Sequence, residues 1–194
     1  MFKYALVILL LIPLPFACDP STPQYTYEIK SLSAEVGIIV INQSSYLLQT
    51  QDLPDTIIAE TLGIMVGITE LDSKEITFNP GPFSTVMADP LPPIIESKVI
   101  DIEVYPSDSL ITSEGIFHQA TPINDLFNLG LFYSSQVHSI SDFLTDFDPW
   151  YSYDELLFHS AMTLEEPFTG SFKLVFSMEN GDEIITETTV IHLK

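Results

Sequence analysis

The sequence contains no arginine, and its 6 lysines are outnumbered by 27 aspartates and glutamates. Binding to a nucleic-acid backbone requires clustered basic side chains that displace counterions, and arginine supplies the planar fork that grips phosphates. The formal net charge of -21 also repels anionic lipid headgroups. The composition therefore argues against nucleic acid as a partner, and attachment to a membrane needs an anchor instead of a basic surface.

Cysteine and long apolar runs are scarce as well. Cys18 is the single cysteine, which excludes an intramolecular disulfide and a cysteine-based metal cluster. The apolar run from Tyr4 to Phe16 is shorter than the roughly 20 residues that cross a bilayer as a helix. The later run from Leu62 to Ile68 is shorter still, so we interpret its two glycines as positions in a close-packed strand.

The start of the chain has the layout of a secretory signal. A basic residue, Lys3, precedes the apolar run, and the small Ala17 precedes Cys18. The segment LPFAC that ends at Cys18 resembles the lipobox of bacterial lipoproteins. That resemblance implies a signal peptide over residues 1–17 and a lipidated Cys18, whose several acyl chains would anchor the protein stably. The alternative is ordinary cleavage after Ala17, which leaves a soluble protein with a free thiol.

The mature chain is predicted to be a lipidated tether over residues 18–24 and a single domain over residues 25–194. The whole chain has 194 residues, 46% of them hydrophobic, which suits one domain with a packed core and does not suit a disordered chain. The segment 19–24 has two prolines and small polar residues, as an extended linker does.

Strand patterns dominate the rest of the chain. Residues 25–42 and 56–71 are rich in β-branched and aromatic residues, and we expect the second to be a central strand. The alternation after residue 98 predicts that Ile100, Ile102 and Val104 are buried. Five prolines at 79–93 predict a long crossing connection between sheets.

The clearest local signal is a terminal hairpin. Asn180-Gly181 lies between two apolar runs and predicts a type I′ turn. Within the first run, alternate residues are predicted to face inward: Phe172, Leu174, Phe176 and Met178.

Residues 121–162 are less strand-like, and two or three short helices are predicted there. Thr121-Pro122 could begin one that continues to Phe127, and Ser152 with Glu155 matches a capping box that would open another. With strands elsewhere and no strand-helix alternation, the predicted class is all-β: an antiparallel, immunoglobulin-like β-sandwich with these helices inserted.

A second resemblance concerns the order of the features. The lipobox, two hydrophobic strands, the ADPLPP segment at 88–93, the PINDLF segment at 122–127 and the terminal hairpin together resemble an uncharacterised family of Bacteroidota envelope lipoproteins. The resemblance implies a location in the cell envelope and a β-rich domain. It implies no activity. We expect the anchor to be in the outer membrane, although the sequence leaves the membrane and its face open.

Motifs for catalysis are missing from the sequence. The chain has no G-x-S-x-G elbow and no Gly-rich phosphate loop, and an acylated Cys18 cannot be a nucleophile. The histidines are isolated, without the spacing that places two on one metal ion: His118, His138, His159 and His192. We therefore expect no enzyme and no cofactor, and the alternative is a hydrolase of the glycosidase type that uses paired carboxylates.

Two features between residues 142 and 158 suggest binding. Asp146 and Asp148 could supply oxygen ligands to calcium, although the spacing of a calcium loop is absent and a solvated helix end explains them as well. Trp150, Tyr151 and Tyr153 could form an aromatic platform for a glycan or an envelope protein. The competing interpretation is that the aromatic rings pack helices onto the sheet. The predicted function is thus a lipid-anchored envelope protein with a binding or structural role.

Overall fold

A computed structural model describes residues 24–42, 45–76, 94–132, 134, 136–147 and 155–194. Within these ranges the chain forms mostly antiparallel β-sheets, one short α-helix and two single-turn 3₁₀ helices. The predicted β-rich, antiparallel class is therefore confirmed. The predicted proline-rich connection at 79–93 lies outside the described residues.

The strands have the following bounds: β1 (Gln24–Asn42), β2 (Ser45–Gln49), β3 (Leu62–Ile76), β4 (Ile94–Ile95), β5 (Val99–Pro106), β6 (Leu110–Thr112), β7 (Gly115–Phe117), β8 (Phe127–Leu131), β9 (His138–Ser139), β10 (Leu156–Ser160), β11 (Phe168–Gly170), β12 (Phe172–Met178), β13 (Glu183–Glu187) and β14 (Ile191–Leu193). The helix α1 (Ile140–Asp146) lies between β9 and β10, and the 3₁₀ turns are Ala59–Thr61 and Asn124–Leu126.

The largest sheet has the strand order β2-β1-β3-β10-β8-β9, and β4 pairs with the start of β1. β1 and β3 pair antiparallel from Gln24 opposite Ile76 to Ile38 opposite Leu62. β3 has β1 on one side and β10 on the other, which confirms that the predicted second strand is central. Its run of branched aliphatic residues suits a strand that is buried between neighbours.

One face of this sheet forms the inner wall of the core. A row of paired residues crosses four strands, namely Val36, Ile64, Phe158 and Leu129, and all four are buried. Because residues opposite each other in a sheet point to the same face, the row shows which face is inward. We call this the inner face.

A three-stranded sheet, in the order β13-β12-β5, packs its side chains against the inner face. The ring of Phe158 meets Phe176 of β12 edge-on with centroids 6.4 Å apart, and Phe127 meets Phe172 at 5.6 Å. Edge-to-face pairs of this kind add to the stabilisation from burial. The two sheets therefore share one aromatic core.

β12 and β13 form the predicted terminal hairpin. The four residues predicted to face inward are all buried, which confirms the alternation: Phe172, Leu174, Phe176 and Met178. The turn itself is different from the type I′ turn predicted. Gly181 has a φ of 88° while Asn180 has no positive φ, whereas a type I′ turn needs positive φ at both positions.

Hydrogen bonds explain the observed turn. The N–H of Gly181 donates to the carbonyl of Met178 at 2.9 Å, and the N–H of Met178 donates to the carbonyl of Asp182 at 2.8 Å. Three residues therefore connect the strands, as in a type I turn followed by a left-handed glycine. The side-chain oxygen of Asn180 accepts from the N–H of Asp182 at 3.0 Å, which is a common use of asparagine in turns.

The predicted burial of Ile100 is wrong. Ile102 and Val104 are buried as expected, but Ile100 is 59% exposed and its neighbour Val99 is buried. Ser177 of β12 pairs with Asp101, yet the next residue of β12 pairs with Val99. Ile100 is thus the extra residue of a β-bulge, and an extra residue reverses the facing of the residues that precede it.

The helix predicted from the capping box is also wrong in its described part. Leu156–Ser160 is β10, paired with β3 on one side and β8 on the other. Two rows of main-chain hydrogen bonds and burial between neighbours outweigh a local helix signal. The region 121–162 instead has α1 and the single turn Asn124–Leu126 in place of a helix up to Phe127.

The β1–β2 hairpin covers the other face of the large sheet. Leu48 of β2 and Ile39 of β1 lie over Gly63 of β3: a Cβ built on Gly63 would touch both side chains. In a flat sheet Leu48 would be two strand spacings, about 10 Å, from Gly63. The β1–β2 hairpin therefore curls over this face, which we call the outer face.

The curl brings distant strands into contact. The rings of Tyr46 on β2 and His159 on β10 have centroids 5.0 Å apart, although three strand spacings in a flat sheet amount to about 14 Å. The N–H of Tyr46 also donates to the carbonyl of Ser134 at 3.2 Å. Ile39 of the hairpin and Leu157 of β10 are buried on this outer face, outside the main core cluster.

Candidate binding groove

A groove lies at the end of α1, so the helix determines its shape. The side chain of Ser139 accepts a hydrogen bond from the N–H of Asp142 at 3.1 Å and caps the helix start. Ile140 and Phe143 are buried and hold the helix against the core. At its other end the N–H of Phe147 donates to the carbonyl of Phe143 at 2.8 Å, and the chain then leaves the helix in an extended conformation.

The groove has a volume of about 270 Å³ and lies between the last turn of α1 and the start of β5. It is lined by Lys98, Val99, Leu144, Thr145, Asp146 and Phe147. It thus combines one carboxylate, one ammonium group and the ring of Phe147, which is 38% exposed. A ring beside hydrogen-bonding groups suits a small polar ligand with an apolar face.

Aromatic neighbours hold the ring of Phe147 in place. It stacks on Phe143 with centroids 5.0 Å apart, and the ring of His138 lies 5.4 Å from it. Nε2 of His138 is buried and has no hydrogen-bond partner among the described residues. The partly exposed ring of Phe147 is therefore held in place by Phe143 and His138.

The structure accounts for part of the predicted aromatic cluster. Phe143 of α1 is buried in the core, so the interpretation that the rings pack helices onto the sheet is confirmed for it; Phe158 is buried too, but it belongs to strand β10 of the sheet itself. The predicted platform of Trp150, Tyr151 and Tyr153 lies outside the described residues, and so does the lipidation residue Cys18. Those predictions stay predictions.

The predicted calcium residues are divided in the same way. Asp146 lines the groove, while Asp148 lies outside the described residues. No group of three or more His, Cys, Asp or Glu side chains that could hold a metal ion occurs in the described part of the chain. The other groove residues were not predicted, because Lys98 and Leu144 come together only when α1 packs beside β5.

A second groove of about 180 Å³ lies between the loop at 53–57 and the segment at 189–192. Its polar groups include Asp55 and His192. Nδ1 of His192 and Oγ1 of Thr169 are 2.9 Å apart, so this imidazole is held by a neighbouring strand. We assign no ligand to this groove.

The described ion pairs lie near the start of β1, at the opposite end of this strand from the β1–β2 hairpin. Nζ of Lys30 is 2.6 Å from Oε1 of Glu28, and Nζ of Lys74 is 3.0 Å from Oε2 of Glu96 and 3.6 Å from Oε2 of Glu28. The hydrogen bond from Lys30 lowers the pKa of Glu28, and that from Lys74 lowers the pKa of Glu96. These groups join β1, β3 and the segment after β4, and the two lysines and Glu96 are exposed while Glu28 is half-buried.

No protein-family model matches this chain, and no curated protein matches it. Among the described residues, no helix has both the length and the apolar character needed to cross a membrane.

Proposed function

We propose that this protein is a lipid-anchored component of the cell envelope, held at the outer membrane through Cys18, and that it acts by binding or structural association without chemistry. The observation that carries this proposal is the sequence from Lys3 to Cys18, in which a basic residue, an apolar run and LPFAC follow one another. The strongly acidic composition supports it, because only an anchor would hold such a chain near anionic lipids.

We further propose that the domain is an immunoglobulin-like β-sandwich. The ring contacts of Phe158 with Phe176 and of Phe127 with Phe172 support this arrangement, since each joins one sheet to the other. A two-sheet domain of this kind presents loops and grooves at its ends while its core stays closed.

Intact-mass measurement of the protein extracted from membranes tests the anchor. The wild type should begin at residue 18 and carry acyl mass, and Cys18→Ser should lose both the acyl mass and the membrane association. Ser21→Ala, in the predicted tether, is the matched control and should keep both. An unmodified wild-type chain would contradict the proposal and indicate a secreted soluble protein.

A specific observation favours glycan binding as the second candidate: the ring of Phe147 is exposed beside Asp146 in the groove. Sugar rings stack on aromatic faces while carboxylates bind their hydroxyls. Electrophoresis in gels that contain soluble polysaccharides would reveal binding as retardation. Phe147→Ala and Trp150→Ala should each remove the retardation, whereas Ile116→Ala, which removes an exposed apolar side chain elsewhere, should keep it. Equal migration of wild type and variants in every gel would contradict glycan binding.

The third candidate, a carboxylate-dependent hydrolase, has less support. A glycosidase needs two carboxyl groups that face each other across a cleft, one of them with a raised pKa. Among the described residues, each groove is lined by one carboxylate, Asp146 or Asp55. The carboxyl groups of Glu28 and Glu96 have lowered pKa values because lysines bind them.

A further inference from the structure

We infer that the β1–β2 hairpin is an acid-sensitive flap, which closes over the outer face at neutral pH and lifts when His159 is protonated. The flap consists of residues 38–42 and 45–49, the two arms that pair with each other beyond the end of β3. The inference concerns a conformational device and is independent of the proposed lipid anchor.

A pair of glycines forms the pivot of the flap. Gly37 on β1 lies directly opposite Gly63 on β3, at the point where β1 leaves β3 and curls. A Cβ on Gly37 would lie 2.5 Å from the carbonyl oxygen of Gln49 and 2.7 Å from Cγ of Leu48. The close approach of the flap therefore requires the absence of side chains at the pivot.

Tyr46 forms the latch at the far end. Its ring meets the ring of His159 edge-on, and its main-chain N–H donates to the carbonyl of Ser134. Ring contact and a single main-chain hydrogen bond are each weak. A change of charge beneath the latch therefore acts at the weakly held end of the flap, whereas Leu48 and Ile39 pack at the pivot end.

His159 lies where a charge is poorly tolerated. It pairs with Gly63 and Asn128 across the sheet, and both neighbours are uncharged. Burial beneath the flap disfavours the imidazolium form and lowers the pKa of His159, and a hydrogen bond with the Ser160 backbone opposes this in part.

Carboxylates on the elements around His159 do not shift its pKa: these are Glu155 just before β10, Glu35 on β1 and Glu60 on the 3₁₀ turn that packs against β10. Glu155 lies four residues before His159 on the same strand, about 13 Å away along the strand, and it contacts the Gly67 position instead. Glu35 of β1 pairs with Met65 in the next row. Tyr46 is the described titratable side chain in contact with the imidazole, and a neutral phenol does not balance its charge.

The direction of the pH effect on flap closure follows from the difference in the pKa of His159 between the closed and the open state. Because the closed state lowers the pKa of His159, the open state binds the proton more readily as the pH falls through the ordinary value of 6.5. Closure is therefore complete above this pH and weakens below it. Opening would expose the apolar strip formed by Ile39, Leu48 and Leu157.

Hydrogen exchange of the full-length protein, read by mass spectrometry, tests the flap. After correction for the intrinsic rates, exchange of residues 45–49 should rise by about threefold or more between pH 7.5 and pH 5.0, while that of β12 should not change. His159→Gln should abolish this rise, and His118→Gln, which replaces an imidazole that contacts Ser109 and not the flap, should keep it. Gly37→Ala should give rapid exchange at both pH values because its Cβ displaces the hairpin.

Two outcomes would overturn the inference: equal exchange of residues 45–49 at the two pH values, or the same rise in His159→Gln as in the wild type. If His159→Gln does not fold, an NMR titration of the wild-type imidazoles replaces it. The midpoint of His159 should then coincide with the pH at which flap exchange rises, and a different midpoint would overturn the inference.

Discussion

The two hairpins of this protein are built on opposite principles. The β12–β13 hairpin places large side chains into the core and turns on a left-handed glycine, whereas the β1–β2 hairpin curls over glycines and covers a histidine. In the first, stability comes from burial of aromatic rings. In the second, close approach of main chains sets the shape and leaves little energy to hold it.

The largest expected effect concerns the core of the β12–β13 hairpin. Phe176→Ala should lower the free energy of unfolding by about 3–5 kcal/mol, because it removes the ring that meets Phe158 and leaves a cavity. Urea unfolding followed by circular dichroism measures this. Ile185→Ala on β13, where the side chain is 57% exposed, is the matched control and should cost no more than about 0.5 kcal/mol. Similar losses for both variants would show that the hairpin is not anchored by its inward face.

The second effect concerns the curl of the β1–β2 hairpin. Gly63→Ala should cost about 1–3 kcal/mol, because its Cβ overlaps the side chains of Ile39 and Leu48. Gly67→Ala is the control on the same strand, and its Cβ would lie 3.6 Å from the nearest atom, an ordinary contact.

A double-mutant cycle separates overlap from other causes of this loss. Leu48→Ala removes one of the side chains that the new Cβ would meet, so the double variant should lose less than the sum of the single losses. Strict additivity would mean that the hairpin does not lie over Gly63.

Sequence patterns were sufficient for the first hairpin and insufficient for the second. The alternation from Phe172 to Met178 is local and predicts which side chains are buried. Nothing local indicates that Tyr46 meets His159, because that contact depends on how far a four-strand segment curls. The same limit explains why Leu156–Ser160 was predicted as a helix: its partners, β3 and β8, are distant in sequence.

The residues of the candidate groove were likewise predicted only in part. Asp146 was predicted as a ligand from its type, and it does line a groove. Its groove neighbours Lys98 and Val99 precede it by more than forty positions in the numbering and were not predicted. The bulge at Ile100 also escaped prediction, since a single inserted residue leaves the alternation of the sequence unchanged on both sides.

A smaller effect concerns the turn of the β12–β13 hairpin. Gly181→Ala should cost about 1 kcal/mol, because a φ of 88° strains a residue with a Cβ although no atom lies near it. Gly181→Asn should cost less, since asparagine tolerates this region better. Chemical denaturation of the two variants in parallel measures the difference, and equal losses would argue against backbone strain as the cause.

The smallest expected effect concerns the ion pairs of Lys74 near the start of β1. Lys74→Met keeps the apolar stem but removes the ion pairs with Glu28 and Glu96, and exposure and salt weaken such pairs. The pKa values of both carboxyl groups are lowered. The ion pairs therefore contribute to the free energy of unfolding above the ordinary pKa of 4.5, and this contribution is lost as the pH falls below it.

Thermal unfolding at pH 6 and pH 3, in low and high salt, tests how much the ion pairs of Lys74 contribute to stability. Lys74→Met should be slightly less stable than the wild type at pH 6 in low salt, and the difference should vanish at pH 3 or in high salt. A difference that persists at pH 3 in high salt would indicate a role for the stem of Lys74 rather than its charge.

The pairing of residue 57 with the segment 191–194 has a consequence for how the protein folds. The N–H of Ile57 donates to the carbonyl of His192, and the N–H of Lys194 donates to the carbonyl of Ile57. In the same way, β3 pairs with β10 and β5 pairs with β12. Several strands of the core thus depend on partners far along the chain, which raises the contact order and lowers the folding rate. The segments around residues 57 and 193 can pair only when both are available, so we expect this part of the structure to form after the local hairpins.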